Sequence, residues 1–173
     1  MASHRIPILG WKTVPDTSGN CWFEPYTVLA TNDVWGYLIV RFGASNAAAP
    51  TTRIGLRGSF DVPQNYVGTA KIIIHWTSTL TSGDVAWDID YRAIGGDDTE
   101  SLDQAGTQES ATVTDTAPSA ANERMTGTIT LTSANLAAGD TVQFEFFRDG
   151  ADAADTLAGS AILHELLFEY ADA

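Results

Sequence analysis

Carboxylates are the first place to look for chemistry in this chain. Asp88 and Asp90 stand two residues apart in Val85-Ala86-Trp87-Asp88-Ile89-Asp90-Tyr91-Arg92, and Glu145 occupies a similar alternate position in Val142-Gln143-Phe144-Glu145-Phe146. On extended backbone, residues two apart share a face, so these acids can line one side of a sheet. A glycosidase needs such a facing pair. Any solvent-exposed sheet also carries charged alternates, and that reading fits the same residues. A second acidic group lies in Arg148-Asp149-Gly150-Ala151-Asp152-Ala153-Ala154-Asp155-Thr156, where Asp149, Asp152 and Asp155 are three apart in a loop. Hard oxygen ligands in a flexible loop suit calcium, although the spacing is not that of an EF-hand. The competing reading is a tight turn in which the Asp side chains cap backbone amides and Arg148 is ion-paired. Gly95-Gly96-Asp97-Asp98 with Glu100 and Asp103 is a weaker candidate of the same kind.

Other chemistries find little support. His164-Glu165-Leu166-Leu167 lacks the second histidine of a zinc peptidase, and His75 beside Trp76 reads as a hydrogen-bonded sheet histidine. No Gly-x-Ser-x-Gly elbow or Gly-x-x-x-x-Gly-Lys loop is present. Cys21 is the only cysteine, which excludes an intrachain disulfide and a cysteine-rich zinc site. Trp11, Trp22, Trp35 and Tyr37 could form a sugar-stacking platform, but large aromatics in a sandwich more often belong to the core. No constellation specifies a reaction, so the chain is read as a non-enzyme without an obligatory cofactor.

The elements that would position these residues are strands. Strict alternation from Val85 to Arg92 is amphipathic only when extended. The same period recurs at Ala70-Ile72-Ile74-Trp76, Met125-Gly127-Ile129-Leu131, Val142-Phe144-Phe146 and Ile162 through Tyr170. Strands are predicted over Tyr26–Ala30, Trp35–Phe42, Thr52–Phe60, Val67–Thr77, Val85–Ile94, Ala111–Asp115, Met125–Thr132, Thr141–Arg148 and Ile162–Tyr170. Asn, Asp, Gly and Pro punctuate the intervals between them. The fold class is therefore all-β, a two-sheet antiparallel β-sandwich. Ala151–Leu157 could form one helical turn, and Gly95 to Ala121, rich in Asp, Thr, Ser and Ala, reads as a long surface excursion.

With 173 residues, 44% of them hydrophobic, the chain suits one domain with a packed core. Residues 1–25 are broken by Pro7, Gly10, Pro15, Gly19 and Pro25 yet carry Trp11, Trp22 and Phe23. They read as an irregular N-terminal arm, and 26–173 as the sandwich domain. Aromatic surface on an irregular segment needs something to lie on, either its own domain or a neighbouring subunit. Net charge is −13, distributed as +2 over residues 1–83 and −15 over 84–173. Such a field disfavours nucleic acid and anionic lipid as partners, and no apolar run approaches a signal peptide or a membrane span.

Two passages carry a resemblance. Phe60-Asp61-Val62-Pro63-Gln64-Asn65-Tyr66 followed by Lys71-Ile72-Ile73-Ile74-His75-Trp76, and the closing run from Arg148 to Gly159 ending in Phe168-Glu169-Tyr170, resemble strand pairs of jelly-roll modules in tailed-phage virion proteins. With Gly83 to Ile94, the likeness spans about residues 54–170. It implies jelly-roll topology and a structural virion protein assembled in the host cytoplasm. The expected form is a head decoration or cement subunit, a homo-oligomer such as a trimer, docked on a major capsid protein or another virion protein. Arg5, Trp11, Lys12, Trp22 and Phe23 are the expected contact residues. The alternative is a carbohydrate- or receptor-binding β-sandwich module using Trp35, Tyr37 or the loop at Asp149, Asp152 and Asp155.

Overall fold

Alternating side chains decide what this backbone can do: Val85, Trp87, Ile89 and Tyr91 are buried on one side, and the residues between them face the other. The computed structural model describes residues 1–7, 39–43, 49–95 and 109–173, together with the backbone of 12–13 and 21–24. In chain order the strands are β1 (Ala2–Ile6), β2 (Lys12–Thr13), β3 (Cys21–Glu24), β4 (Ile39–Phe42), β5 (Arg53–Asp61) and β6 (Tyr66–Thr77). They continue with β7 (Asp84–Ile94), β8 (Glu109–Thr116), β9 (Met125–Thr130), β10 (Thr141–Asp149) and β11 (Ala161–Asp172). The only helical element among the described residues is a single 3₁₀ turn, Ser133–Asn135, and no helix there is long and apolar enough to cross a membrane.

Every pairing between these strands is antiparallel. One sheet runs β3-β4-β11-β6-β9, with β1 added alongside β11; the other runs β2-β5-β10-β7-β8. The two sheets pack face to face as a jelly-roll sandwich. Their inner faces meet in two aromatic clusters. At one end Trp87 stacks on Phe146 at 5.2 Å and meets Phe42 and Trp76 edge-on at 5.4 and 5.7 Å. At the other end Phe168 joins Phe60 at 5.0 Å and Tyr170 at 5.5 Å. Aromatic rings bury the largest apolar areas and prefer these edge-on or offset geometries.

Three stretches of the segment expected to be an irregular N-terminal arm are strands. Ala2–Ile6 pairs with β11 from Tyr170 to Leu166, Lys12–Thr13 pairs with β5, and Cys21–Glu24 pairs with β4. Prolines and glycines conceal this in the sequence, since short edge strands take their conformation from the ladder they join and need little propensity of their own. Ile6 is buried in the core and anchors β1. Part of the presumed surface excursion is likewise a strand, β8, and where one helical turn was expected over Ala151–Leu157, residues 149–155 form two successive turns, closed by Asp152 N–H to Asp149 O (3.1 Å) and Asp155 N–H to Asp152 O (3.0 Å). The strand predicted over Tyr26–Ala30 lies outside the described residues.

One polar contact closes the sandwich. Arg148 faces inward from β10 and is fully buried, as is the side chain of Asp155. Its Nε and Nη2 donate to the two oxygens of Asp155 at 2.8 and 2.7 Å. The remaining donors reach the carbonyls of Leu157, Gly159 and Phe42. Asp155 also accepts the Ala86 amide at 3.2 Å, so β7, β10, the β10–β11 loop and the end of β4 converge on one ion pair. The loop then seats against the β6–β7 turn. Gly83 has φ +97°, and a Cβ there would stand 2.8 Å from Leu157 Cα.

Removing one member of a fully buried, saturated pair strands the other. Arg148→Met and Asp155→Ala are each expected to lower the unfolding free energy by about 3–5 kcal/mol. The double variant Arg148→Met/Asp155→Leu should recover much of that loss, as read by urea denaturation of all three.

Candidate functional site

On the outer face of the β2-β5-β10-β7-β8 sheet, register brings together side chains that are far apart in sequence. Phe147 on β10 lies between Gly55 on β5 and Asp88 on β7, while Glu145 lies between Arg57 and Asp90. Arg53 enters from β5, opposite Asp149. Its guanidinium crosses the Phe147 ring 3.9 Å above the centroid. From there Nη2 donates to Asp88 Oδ2 and Nη1 to Asp90 Oδ2, both at 2.9 Å, and Asp149 Oδ2 stands 3.8 Å from Nε. Ser110 on β8 donates its hydroxyl to Asp90 Oδ1 at 2.6 Å. Alongside, Arg57 pairs with Glu145 at 3.1 Å and Arg92 Nε donates to Gln143 at 2.8 Å.

Two sequence features create this arrangement. Phe147 breaks the alternation of β10 and turns a ring outward next to the inward Phe146. Gly55 lets that ring lie flat, since a Cβ there would be 2.3 Å from Phe147 Cδ1. A glycine inside a strand often marks such a close approach. Arg53 then covers the ring, leaving Phe147 only 4% exposed, while the Arg53 side chain itself stays 35% exposed. The surface offered to a ligand is therefore polar: a guanidinium edge, carboxylate oxygens and, beside them, the exposed Ser110 and Thr112 of β8. Burial pushes the Asp88 carboxyl above its ordinary value; the Arg53 charge opposes this, and Asp149 and Asp90 add to it. Arg53 is held more firmly protonated by Asp90 and Asp88 than its own burial would allow.

The residues singled out from the sequence scatter. Asp88 and Glu145 do share this face, but each carries its own arginine partner, Arg53 and Arg57 respectively. The three loop acids do not converge as a calcium cage. Asp149 Oδ1 accepts the Ala151 amide at 2.9 Å, Asp152 Oδ1 accepts the Ala154 amide at 2.8 Å, and Asp155 is consumed by Arg148. Among the described residues no group of three His, Cys, Asp or Glu side chains is arranged to hold a metal ion. Arg5 lies on the opposite sheet, 76% exposed and paired with Glu165, which also bonds His75 Nδ1 at 3.0 Å. Lys12, Trp22 and Phe23 fall on β2 and β3, whose side chains lie outside the described residues, as do Trp11, Trp35, Tyr37 and the Asp97–Asp103 candidate. Arg53, Gly55 and Phe147 were not anticipated. The doublet Phe146-Phe147 and the in-strand glycine were the available signals.

No family model matches the chain, and no curated protein matches it in sequence. Its fold, however, is similar to that of solved structures. A family 35 carbohydrate binding module from Clostridium thermocellum superposes with TM-score 0.52 at 15% identity, covering 99% of this chain and 100% of that one. A CBM35 from Paenibacillus barcinonensis gives TM-score 0.54 at 13% identity, again with 99% and 100% covered. An Arthrobacter globiformis T6 isomalto-dextranase complexed with panose gives 0.51 at 18% identity; there 96% of this chain matches 23% of the larger one. At these identities the likeness is one of fold.

The raised Asp88 carboxyl makes a testable pH signature. A carboxyl whose folded value exceeds its unfolded one contributes stability that is present below the unfolded value and lost as pH rises through the folded value. The stability of Asp88→Asn relative to wild type is therefore expected to improve as pH rises from about 4 toward neutrality, since the ordinary aspartate value is about 3.9. Thermal or urea unfolding of both proteins across that range measures it.

Proposed function

We propose that this chain is a non-catalytic carbohydrate-binding β-sandwich whose ligand lies across the Arg53, Asp88, Asp90 and Asp149 face. The observation carrying this reading is the end-to-end similarity in fold to solved carbohydrate binding modules, with nearly all of both chains covered. The chemistry of the face agrees with it. Sugar hydroxyls both donate and accept, and this surface offers fixed carboxylate acceptors, guanidinium donors and hydroxyls on a rigid sheet. Because Arg53 occupies the Phe147 ring, recognition here works through hydrogen bonds, without stacking on that aromatic.

Catalysis fits the same face less well. A glycosidase needs one carboxyl free to give up a proton and another free to attack or to activate water. Asp88 and Glu145 are each bound to a separate guanidinium, which suits holding a ligand. The head-decoration reading expects contacts from Arg5, Trp11, Lys12, Trp22 and Phe23, and residues 2–6, 12–13 and 21–24 of that segment are strands of the two sheets.

Affinity gel electrophoresis through soluble xylan, galactan, mixed-linkage β-glucan and dextran tests the proposal. The wild-type protein should be retarded by at least one of these, and Arg53→Ala/Asp90→Ala, checked for intact folding by circular dichroism, should lose at least tenfold in affinity, about 1.4 kcal/mol. Retardation that is undiminished in the folded double variant would place the ligand elsewhere, and no retardation in any glycan would sink the proposal.

A further inference from the structure

We infer that this face selects uncharged glycans and rejects polyanionic ones, such as those rich in uronate or sulfate. The inference rests on the carbohydrate-binding reading and concerns the class of sugar. Recognition of an anionic sugar needs a cation whose charge is not already offset. The charge of Arg53 is more than offset by its own acids. Its Nη1 and Nη2 are committed to Asp90 and Asp88 at 2.9 Å, and Asp149 stands 3.8 Å from its Nε. Three carboxylates around one guanidinium leave a local charge of −2 when all are ionised. Of the neighbouring cations, Arg57 is ion-paired with Glu145, and Arg92 donates to Gln143.

A ligand approaching this surface meets a net negative charge: beside the partly exposed Arg53 stand the carboxylates of Asp88, Asp149 and Glu145, whose side chains are 18%, 20% and 36% exposed. Neutral sugar hydroxyls satisfy them by donating. A uronate or sulfate group brings further acceptors and a like charge, so it meets repulsion from the surplus carboxylates around Arg53. The field extends beyond the site, since residues 84–173 carry a formal −15. Repulsion of this kind acts over about 8 Å at physiological salt and is strongest at low ionic strength.

The test compares neutral polysaccharides (xylan, galactan, mixed-linkage β-glucan, dextran) with polygalacturonate and alginate, by affinity electrophoresis at 20 mM and 500 mM NaCl. The expected result is binding to at least one neutral glycan, with polyanions bound at least tenfold more weakly at low salt and the gap shrinking at high salt. Asp88→Asn/Asp149→Asn, verified as folded by its unfolding transition, should narrow the low-salt gap at least threefold. Polyanions bound as tightly as neutral glycans at low salt, or a gap indifferent to salt and to the double variant, would overturn the inference while leaving carbohydrate binding standing. Failure to bind any of the six would overturn the carbohydrate reading and this inference with it.

Discussion

The buried pair of Arg148 and Asp155 is the constraint on which the rest of this sandwich depends. A guanidinium has five donors and no acceptor, so burying it without partners for all five leaves costly orphans. Here two donors fork onto Asp155 and the others are taken by backbone carbonyls of Phe42, Leu157 and Gly159. Those carbonyls lie on or beside β4, β10 and β11, so satisfying one side chain forces the β10–β11 loop to fold inward across the end of both sheets. The turn at Gly83 accepts that loop because it has no side chain to obstruct Leu157. A patch of sequence that looks like a metal-binding loop is in this way a plug.

The outer face of the five-stranded sheet repeats the same chemistry at the surface. Arg53 is again the hub, now with carboxylates from β7 and β10 and an aromatic ring beneath it. The difference lies in exposure. Arg148 is sealed and saturated, whereas Arg53 and its acids remain in reach of solvent, where water or sugar hydroxyls compete for their remaining lone pairs. A rigid cross-strand staple and a recognition surface are compatible roles, because pre-organised polar groups lose little entropy when a ligand arrives.

Much of the architecture was legible from alternation alone. The strands from β5 to β11 fall within two residues of the predicted ones at either end, β8, β9 and β11 differing most. Inward residues such as Trp76, Trp87 and Phe168 are among those that the period of two places inside. The N-terminal strands were illegible for a physical reason: edge strands of two to five residues carry no full period, and Pro and Gly between them read as breakers. The site was half legible. Asp88 and Glu145 stand out as charged residues in strands and Asp149 as a loop acid, but nothing local announces that Arg53, thirty-five positions before Asp88, lies between them.

Composition and periodicity by themselves determined that this chain buries alternate side chains in two sheets, without a disulfide, and carries most of its acid in the second half. That information is local, written in residues two apart. Which acids meet which arginine was decided only by tertiary structure, because antiparallel register between β5, β10 and β7 sets the neighbours of Arg53, and the inward path of the β10–β11 loop sets those of Arg148. Register depends on the whole stack of inward side chains finding their places together, and no single segment of sequence contains it.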